Sequence, residues 1–269
     1  MRIIHIYNRE KRLSICSQLE KNLDAQVYTA SNMEQITTFK VLEITALYNP
    51  APIYEETELT GQIREKIGSI PKFSRCFTVA RDILAQLGPW CCDVTWKYML
   101  SGLERRVARQ TQDLGRESLL EDDLALKNAH ELVDNMEIPR NPNVYDISLF
   151  SPKITKLIQI LQIITSGTQQ FCGIVFVERR NTAVAIQLLI QSLDSLSRLR
   201  AGILTGHGSS EEGDVQMHFK EQNKTIQKFR TGEINLLIAT NVAEEGLDIQ
   251  PCNFVIRYKL HLHMIITLF

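Results

Sequence analysis

The sequence predicts an α/β protein: a parallel sheet flanked by helices, with an all-helical block ahead of it. Three observations point there. Residues 172–177 (CGIVFV) form a continuous apolar run of strand length, as expected of a strand covered on both faces, and 234–239 (INLLIA) reads as another buried strand. Stretches with helical period separate these runs, which is the alternation that builds a parallel sheet. Residues 55–137, by contrast, read as almost pure helix. Hydrophobic residues make up 44% and charged residues 23%, which is ordinary for a globular protein and excludes a wholly disordered chain. A length of 269 residues allows one large domain or two ordinary ones.

Residues 1–50 mix short apolar runs with polar stretches and end at Asn49-Pro50-Ala51-Pro52, a boundary because each proline pushes its predecessor out of the helical region. In the helical block, Leu59, Ile63 and Ile67 share one face at a spacing of four. Cys76, Val79, Ala80, Ile83 and Leu87 form a second stripe, stopped by Gly88-Pro89. Trp96, Met99, Leu100, Leu103 and Val107 form a third, and Ala125, Ala129, Leu132, Val133 and Met136 a fourth. Short amphipathic helices broken by Gly and Pro predict a small bundle, with its Cys, Trp and Met residues in the core rather than binding a cofactor. Residues 138–150 (IPRNPNVYDISLF) have the composition of a linker.

The third block opens with Ser151-Pro152, an N-cap followed by proline at the first helical position. Ile154, Leu157, Ile158 and Leu161 give that helix its apolar face. The run 172–177 is the first strand, and Ala185, Leu189, Leu193 and Leu196 mark the next helix. Ala201–Leu204 is a short second strand, Thr225–Arg230 a helix closed by Gly232, Ile234–Ala239 a third strand and Asn253–Arg257 a fourth. The domains expected are therefore 1–50, 51–140 and 141–269, without internal repeats.

Thirty basic and thirty-one acidic residues leave a net charge of −1, so any site for a polyanion must be local. The six cysteines are scattered and contain no Cys-x-x-Cys pair, and His261 and His263 have no cysteine at finger spacing. No disulfide scaffold and no metal site are expected. The N-terminus is too charge-interrupted for a signal sequence, and no window of ~18 uninterrupted apolar residues suggests a membrane span. An intracellular protein, cytoplasmic or nuclear, is the expectation.

Ligands of open parallel sheets bind beyond the carboxyl ends of the strands. Three polar segments fall there: Glu178-Arg179-Arg180-Asn181-Thr182, Thr205-Gly206-His207-Gly208-Ser209-Ser210, and Thr240-Asn241-Val242-Ala243-Glu244-Glu245-Gly246-Leu247-Asp248. Hydroxyls, glycine-freed amides and helix N-termini hold phosphates without a large net charge. On topology alone the same segments read equally well as solvated turns.

ATNVAEEGLDIQPCNFVIRY, preceded by KTIQKFRTGEINLLI, resembles the fifth motif of superfamily 2 RNA helicases, and its flavour is similar to that of Dicer and fungal Dicer-like proteins. FCGIVFVERRNTA resembles their fourth motif, and TGHGSS the phosphate-contacting loop after it. RCFTVARDILAQLGPWCCDVTW resembles the helical insertion of that family, and LEKNLDAQVYTAS the end of its first RecA-like domain. The resemblance spans roughly residues 16–258 and implies the tail of a first RecA-like domain (1–50), a helical insertion (51–140) and a second RecA-like, helicase C-terminal domain (141–269). It implies RNA contacts from Arg179, Gly206, His207, Thr240 and Asn241, and nucleotide contacts from Glu245, Gly246 and Asp248. Leu247 and Ile249 are read as packing.

The resemblance further implies an ATP-dependent RNA helicase and endoribonuclease binding double-stranded RNA in RNA silencing and antiviral defence, with ATP and Mg as cofactors. Its implied partners are the first RecA-like domain, the ribonuclease domains and other RNA-silencing proteins, with no membrane. The chain departs from the family pattern in several places. It contains no Gly-x-x-x-x-Gly-Lys-Ser/Thr loop, no Asp-Glu-x-His box and no ribonuclease III signature. Where the family continues into Gln-x-x-Gly-Arg-x-Arg, this sequence reads RYKLHLHMIITLF and stops. An arginine finger is worth about 10³–10⁵ in rate. The expectation is a truncated helicase region that neither turns over ATP, nor holds it tightly, nor cuts RNA by itself. The alternative is a catalytically dead module that binds RNA or a protein partner. The apolar tail and an open sheet edge are read as aggregation hazards.

Overall fold

The computed structural model describes residues 42–113, 120–137, 139–167, 171–205, 219–240, 252–258 and 263–268. Strand β1 (Leu42–Leu47) is followed by four helices: α1 (Glu58–Ile67), α2 (Ser74–Leu87), α3 (Pro89–Asp113) and α4 (Leu120–Asp134). After the linker come α5 (Pro152–Ser166), β2 (Gly173–Val177), α6 (Arg180–Ser192), β3 (Ala201–Leu204), α7 (Phe219–Arg230), β4 (Leu236–Thr240), β5 (Phe254–Arg257) and β6 (His263–Leu268). All of these belong to one unit, 42–269.

The helices form where period and caps agree. Thr57 caps α1 by accepting from the Thr60 amide, with Glu58 in the first turn and Arg64 and Lys66 in the last, each suited to the helix dipole. Leu59, Ile63 and Ile67 are buried, as their spacing predicts. So are Cys76, Val79, Ala80, Ile83 and Leu87 on α2. On α3, Trp96, Met99, Leu100 and Leu103 are buried; the side chain of Val107 lies outside the described residues. On α4 the fully buried positions are Leu126, Ala129 and Val133, while Ala125, Leu132 and Met136 pack at the margin of the same core. Ser151 caps α5 through the Ile154 amide, with Pro152 at the first turn.

The sheet has six strands in the order β1-β6-β5-β2-β4-β3. Its centre, β5-β2-β4-β3, is parallel, with Val175 opposite Ile238 and Ile256. Both faces are covered. Val175, Val177, Leu236 and Ile238 join the core that includes the bundle, while Ile174, Phe176, Leu237 and Ala239 join a second core with Leu204 and Phe229. Successive residues of a strand point to opposite faces, so a continuous apolar run is what two covered faces require. A Cβ on Gly173 would lie 2.2 Å from the Phe254 ring, so any larger residue there would force that buried ring to move.

The outer part of the sheet departs from the parallel expectation. β6 runs antiparallel to β5, and β1 antiparallel to β6. The apolar tail read from sequence over 264–269 is, over 263–268, a strand with Met264 and Ile266 buried. Pairing on both sides satisfies its backbone. β1 then supplies the outer edge, with Leu42, Ile44 and Leu47 exposed.

Bundle and sheet meet along a seam at Gly88. There φ is +100° and ψ is 173°, a region open essentially to glycine, and a Cβ would lie 2.5 Å from the Leu149 carbonyl oxygen. The Ser151 amide donates to the Leu87 carbonyl at 3.1 Å, and the Ser151 hydroxyl to that of Gln86 at 2.6 Å. The helix that opens the sheet domain is thus tied to the last turn of α2.

Candidate nucleic-acid interface

The parallel register brings three strand ends level. Val177 pairs with Thr240, and Leu204 with Ala239, so Thr205 stands beside Thr240 and Arg179 lies two residues beyond Val177. The expectation that polar segments gather at one carboxyl edge therefore holds for the described parts of all three. Gly206, His207, Asn241, Glu245, Gly246 and Asp248 lie outside the described residues.

Thr205 and Thr240 are almost wholly buried, at 2% and 6% exposure. The Thr205 carbonyl accepts from Gln222 Nε2, which fastens the end of β3 to α7. Like the neighbouring Glu178, Arg179 is exposed, with 47% of its side chain accessible. It has extended backbone at the N-cap of α6, and its carbonyl accepts the Ala183 amide at 3.2 Å. Its guanidinium donates to Asp82 Oδ2 on α2 at 2.9 Å. The adjacent Arg180 diverges from it, lining a groove of about 320 Å³ between α6 and α7 with Thr205 and Glu221. The two neighbouring cations thus serve different places.

Lys153 completes the edge on the β5 side. Its ammonium lies 4.3 Å from the centre of the Tyr258 ring and 5.9 Å from that of Tyr48. Burial draws its pKa down to about 8, and the nearby Glu178 carboxylate opposes that shift. Tyr258 is itself fully buried, which raises its phenol, and its hydroxyl lies 3.5 Å from the Gln86 carbonyl.

Asp82, Lys153 and Gln222 were not singled out from sequence. Lys153 carried a weak signal, in the first turn of a helix opened by Ser-Pro. Asp82 carried none, since a carboxylate on the outer face of an amphipathic helix reads as solvated surface. Among the described residues there is no cluster of three His, Cys, Asp or Glu placed to hold a metal, and no helix is long and apolar enough to cross a membrane.

Within the bundle, Thr60 is tied into a local polar network. Thr60 Oγ1 accepts from Trp96 Nε1 at 2.8 Å and from the Thr57 hydroxyl at 2.8 Å, with Cys92 Sγ at 3.7 Å. Burial pushes the Cys92 thiol up to about 12, and burial followed by the neighbouring Cys92 raises Cys91. Neither thiol is a nucleophile near neutral pH.

Two family models match in tandem: the Dicer partner-binding domain over residues 61–140, and the helicase conserved C-terminal domain over 152–267. Dicer-like protein 1 of Neurospora crassa is 31% identical over 262 residues, covering 91% of this chain and 16% of that protein. Dicer-like protein 1 of Pyricularia oryzae is 33% identical with the same coverage, and Protein Dicer of Schizosaccharomyces pombe is 29% identical over 90% of this chain and 18% of its own length. The chain thus spans about a sixth of the length of these relatives. The Pyrococcus furiosus Hef helicase domain is similar at a TM-score of 0.37 and 21% identity, covering 75% of this chain and 38% of that one. With a bundle that matches the partner-binding domain and a sheet that matches the helicase C-terminal domain, this chain belongs to the helicase region of the Dicer-like family.

Proposed function

We propose that this chain grips the phosphate backbone of double-stranded RNA along the carboxyl edge of its sheet, as part of a Dicer-type helicase acting in RNA silencing and antiviral defence. The observation that carries this reading is the register that sets Thr205 level with Thr240 and Arg179 just beyond Val177. A-form RNA is recognised by its phosphates and 2′-hydroxyls, and a line of hydroxyls, strand-end amides and one exposed guanidinium suits that target. Gly206, His207 and Asn241 would extend the line. Glu245, Gly246 and Asp248 would face ATP and its magnesium, which the intact enzyme would hold chiefly on its first RecA-like domain. Alone, the chain binds without hydrolysing ATP or cutting RNA, because the phosphate-cradling loop, the magnesium-holding box and the ribonuclease carboxylates are not in this sequence. Its setting is intracellular, cytoplasmic or nuclear.

Anisotropy of a labelled blunt RNA duplex titrated with the 269-residue chain tests this. The affinity should fall with salt by counterion release, and Arg179→Ala combined with Thr240→Ala should weaken it about tenfold or more. Unchanged affinity in the double variant overturns the assignment. RNA-stimulated phosphate release by the pure chain overturns the inactivity.

The match of residues 61–140 to the Dicer partner-binding domain favours a second reading, in which the bundle docks a silencing protein and the sheet edge is passive. Under it, the double variant retains its protein partner and its RNA affinity alike.

A further inference from the structure

We infer that Asp82, on the helical insertion, is a built-in competitor for the RNA phosphate at Arg179, so that the insertion sets how tightly the sheet edge holds RNA. The inference rests on the proposed phosphate site and goes beyond it by giving an insertion residue a role in affinity. Asp82 lies on α2 among Val79, Ala80, Ile83 and Leu84, whose burial anchors the helix and fixes where the carboxylate stands. Its Oδ2 lies 2.9 Å from the Arg179 guanidinium, which is the geometry a phosphate oxygen would adopt. A carboxylate and a phosphate are alternative acceptors for the same donors.

The pair is also weak enough to exchange. Arg179 is 47% exposed and Asp82 29%, and ion pairs this open are worth no more than about a factor of five in an equilibrium. While Asp82 is in place, the charge at this end of the edge is neutralised, and an approaching phosphate must displace one anion before it meets a cation. Counterion release counts only cations that are free to pair with phosphate. A carboxylate that occupies Arg179 therefore lowers both the affinity and its salt dependence. A shift of α2 relative to β2 by a fraction of the pair distance would free the guanidinium, which makes the insertion a means of tuning the grip.

Asp82→Asn tests this, since it keeps the shape and removes the charge; Asp82→Ala serves as a second variant, and each must show a cooperative melt. In anisotropy titrations of the full chain with a blunt RNA duplex, both should bind about two- to five-fold more tightly at low salt. The slope of log affinity against log salt should steepen by about 0.9. The gain should vanish when Arg179→Ala is added. Weaker binding in the Asp82 variants would mean that Asp82 aligns Arg179 rather than competing for it, and overturns the inference. Unchanged binding, alongside a loss on Arg179→Ala, overturns it while leaving the phosphate site standing. If Arg179→Ala and Thr240→Ala together change nothing, the phosphate site itself fails and the inference fails with it.

Discussion

Thr60 and Thr240 are both threonines buried to within a few per cent, at 3% and 6% exposure, one inside the helical bundle and one at the end of a strand. Thr60 is surrounded by groups of its own bundle: the Trp96 indole N–H, the Thr57 hydroxyl and the Cys92 thiol all converge on one oxygen. Thr240 stands in a line with Thr205 and the approach to Arg179, at the edge where a parallel sheet presents its strand ends. Burial and polarity alone do not separate the two. The difference lies in whether the neighbours close a local network or form a line along one edge of the sheet. A closed network of the first kind holds a core together, whereas the second arrangement lies at the edge where open parallel sheets bind their ligands.

If that distinction is right, damage to the bundle should appear as lost stability, and damage to the edge as lost binding. The largest effect is expected from Trp96→Ala, which empties a fully buried site and should cost about 3–5 kcal/mol. At about 2–4 °C per kcal/mol for a unit of this size, the melting temperature should fall by about 6–20 °C. RNA affinity per folded molecule should stay the same; a selective loss of affinity would break the comparison. Gly88→Ala comes next, because alanine must adopt a φ of +100° and press on the Leu149 carbonyl. Backbone strain of this kind costs of order 1–3 kcal/mol. Since the seam joins bundle and sheet, calorimetry should show one transition moving down as a whole, whereas two separated transitions would mean that the halves melt independently. Thr60→Val keeps the shape and leaves the Trp96 N–H without its acceptor, at about 1–3 kcal/mol by chemical denaturation. No change there would show that the network is dispensable.

The smallest effect concerns pH, and the two regions differ in its sign. The folded-state value of the Cys92 thiol is raised from 9.0 to about 12, so its contribution is fully present below pH 9 and lost as the pH climbs toward 12. Lys153, at the edge, is lowered from 10.5 to about 8. Its contribution is present above pH 10.5 and lost as the pH falls through 8. The melting temperature should therefore rise modestly between pH 8 and 9, where Lys153 titrates ahead of the thiol, and this rise should be absent in Lys153→Met. A rise that persists in Lys153→Met would assign it to another group.

Much of this architecture was legible because it is local. Helical faces such as Leu59, Ile63 and Ile67 repeat every turn, Ser151-Pro152 carries its own cap, and the runs 173–177 and 236–239 are apolar because both faces of the sheet are covered. What was not legible depends on distant partners. The β-branched Ile265, Ile266 and Thr267 suit a strand, but the place of 263–268 in the sheet follows only from pairing with both 42–47 and 254–257. The site shows the same limit. Thr240 and Arg179 stand out because they follow strands, whereas Asp82 matters only through a contact made across the fold.

The central claim, that the carboxyl edge of the sheet meets the RNA, is tested most directly by hydrogen–deuterium exchange of the chain with and without an RNA duplex. Slowed exchange is expected in peptides spanning Glu178–Ala183 and those containing Thr205 and Thr240. Peptides at the amino edge, around Cys172 and Asn253, should exchange at the same rate in both states. Protection confined to the bundle or to the amino edge, with the strand ends unaffected, would contradict it.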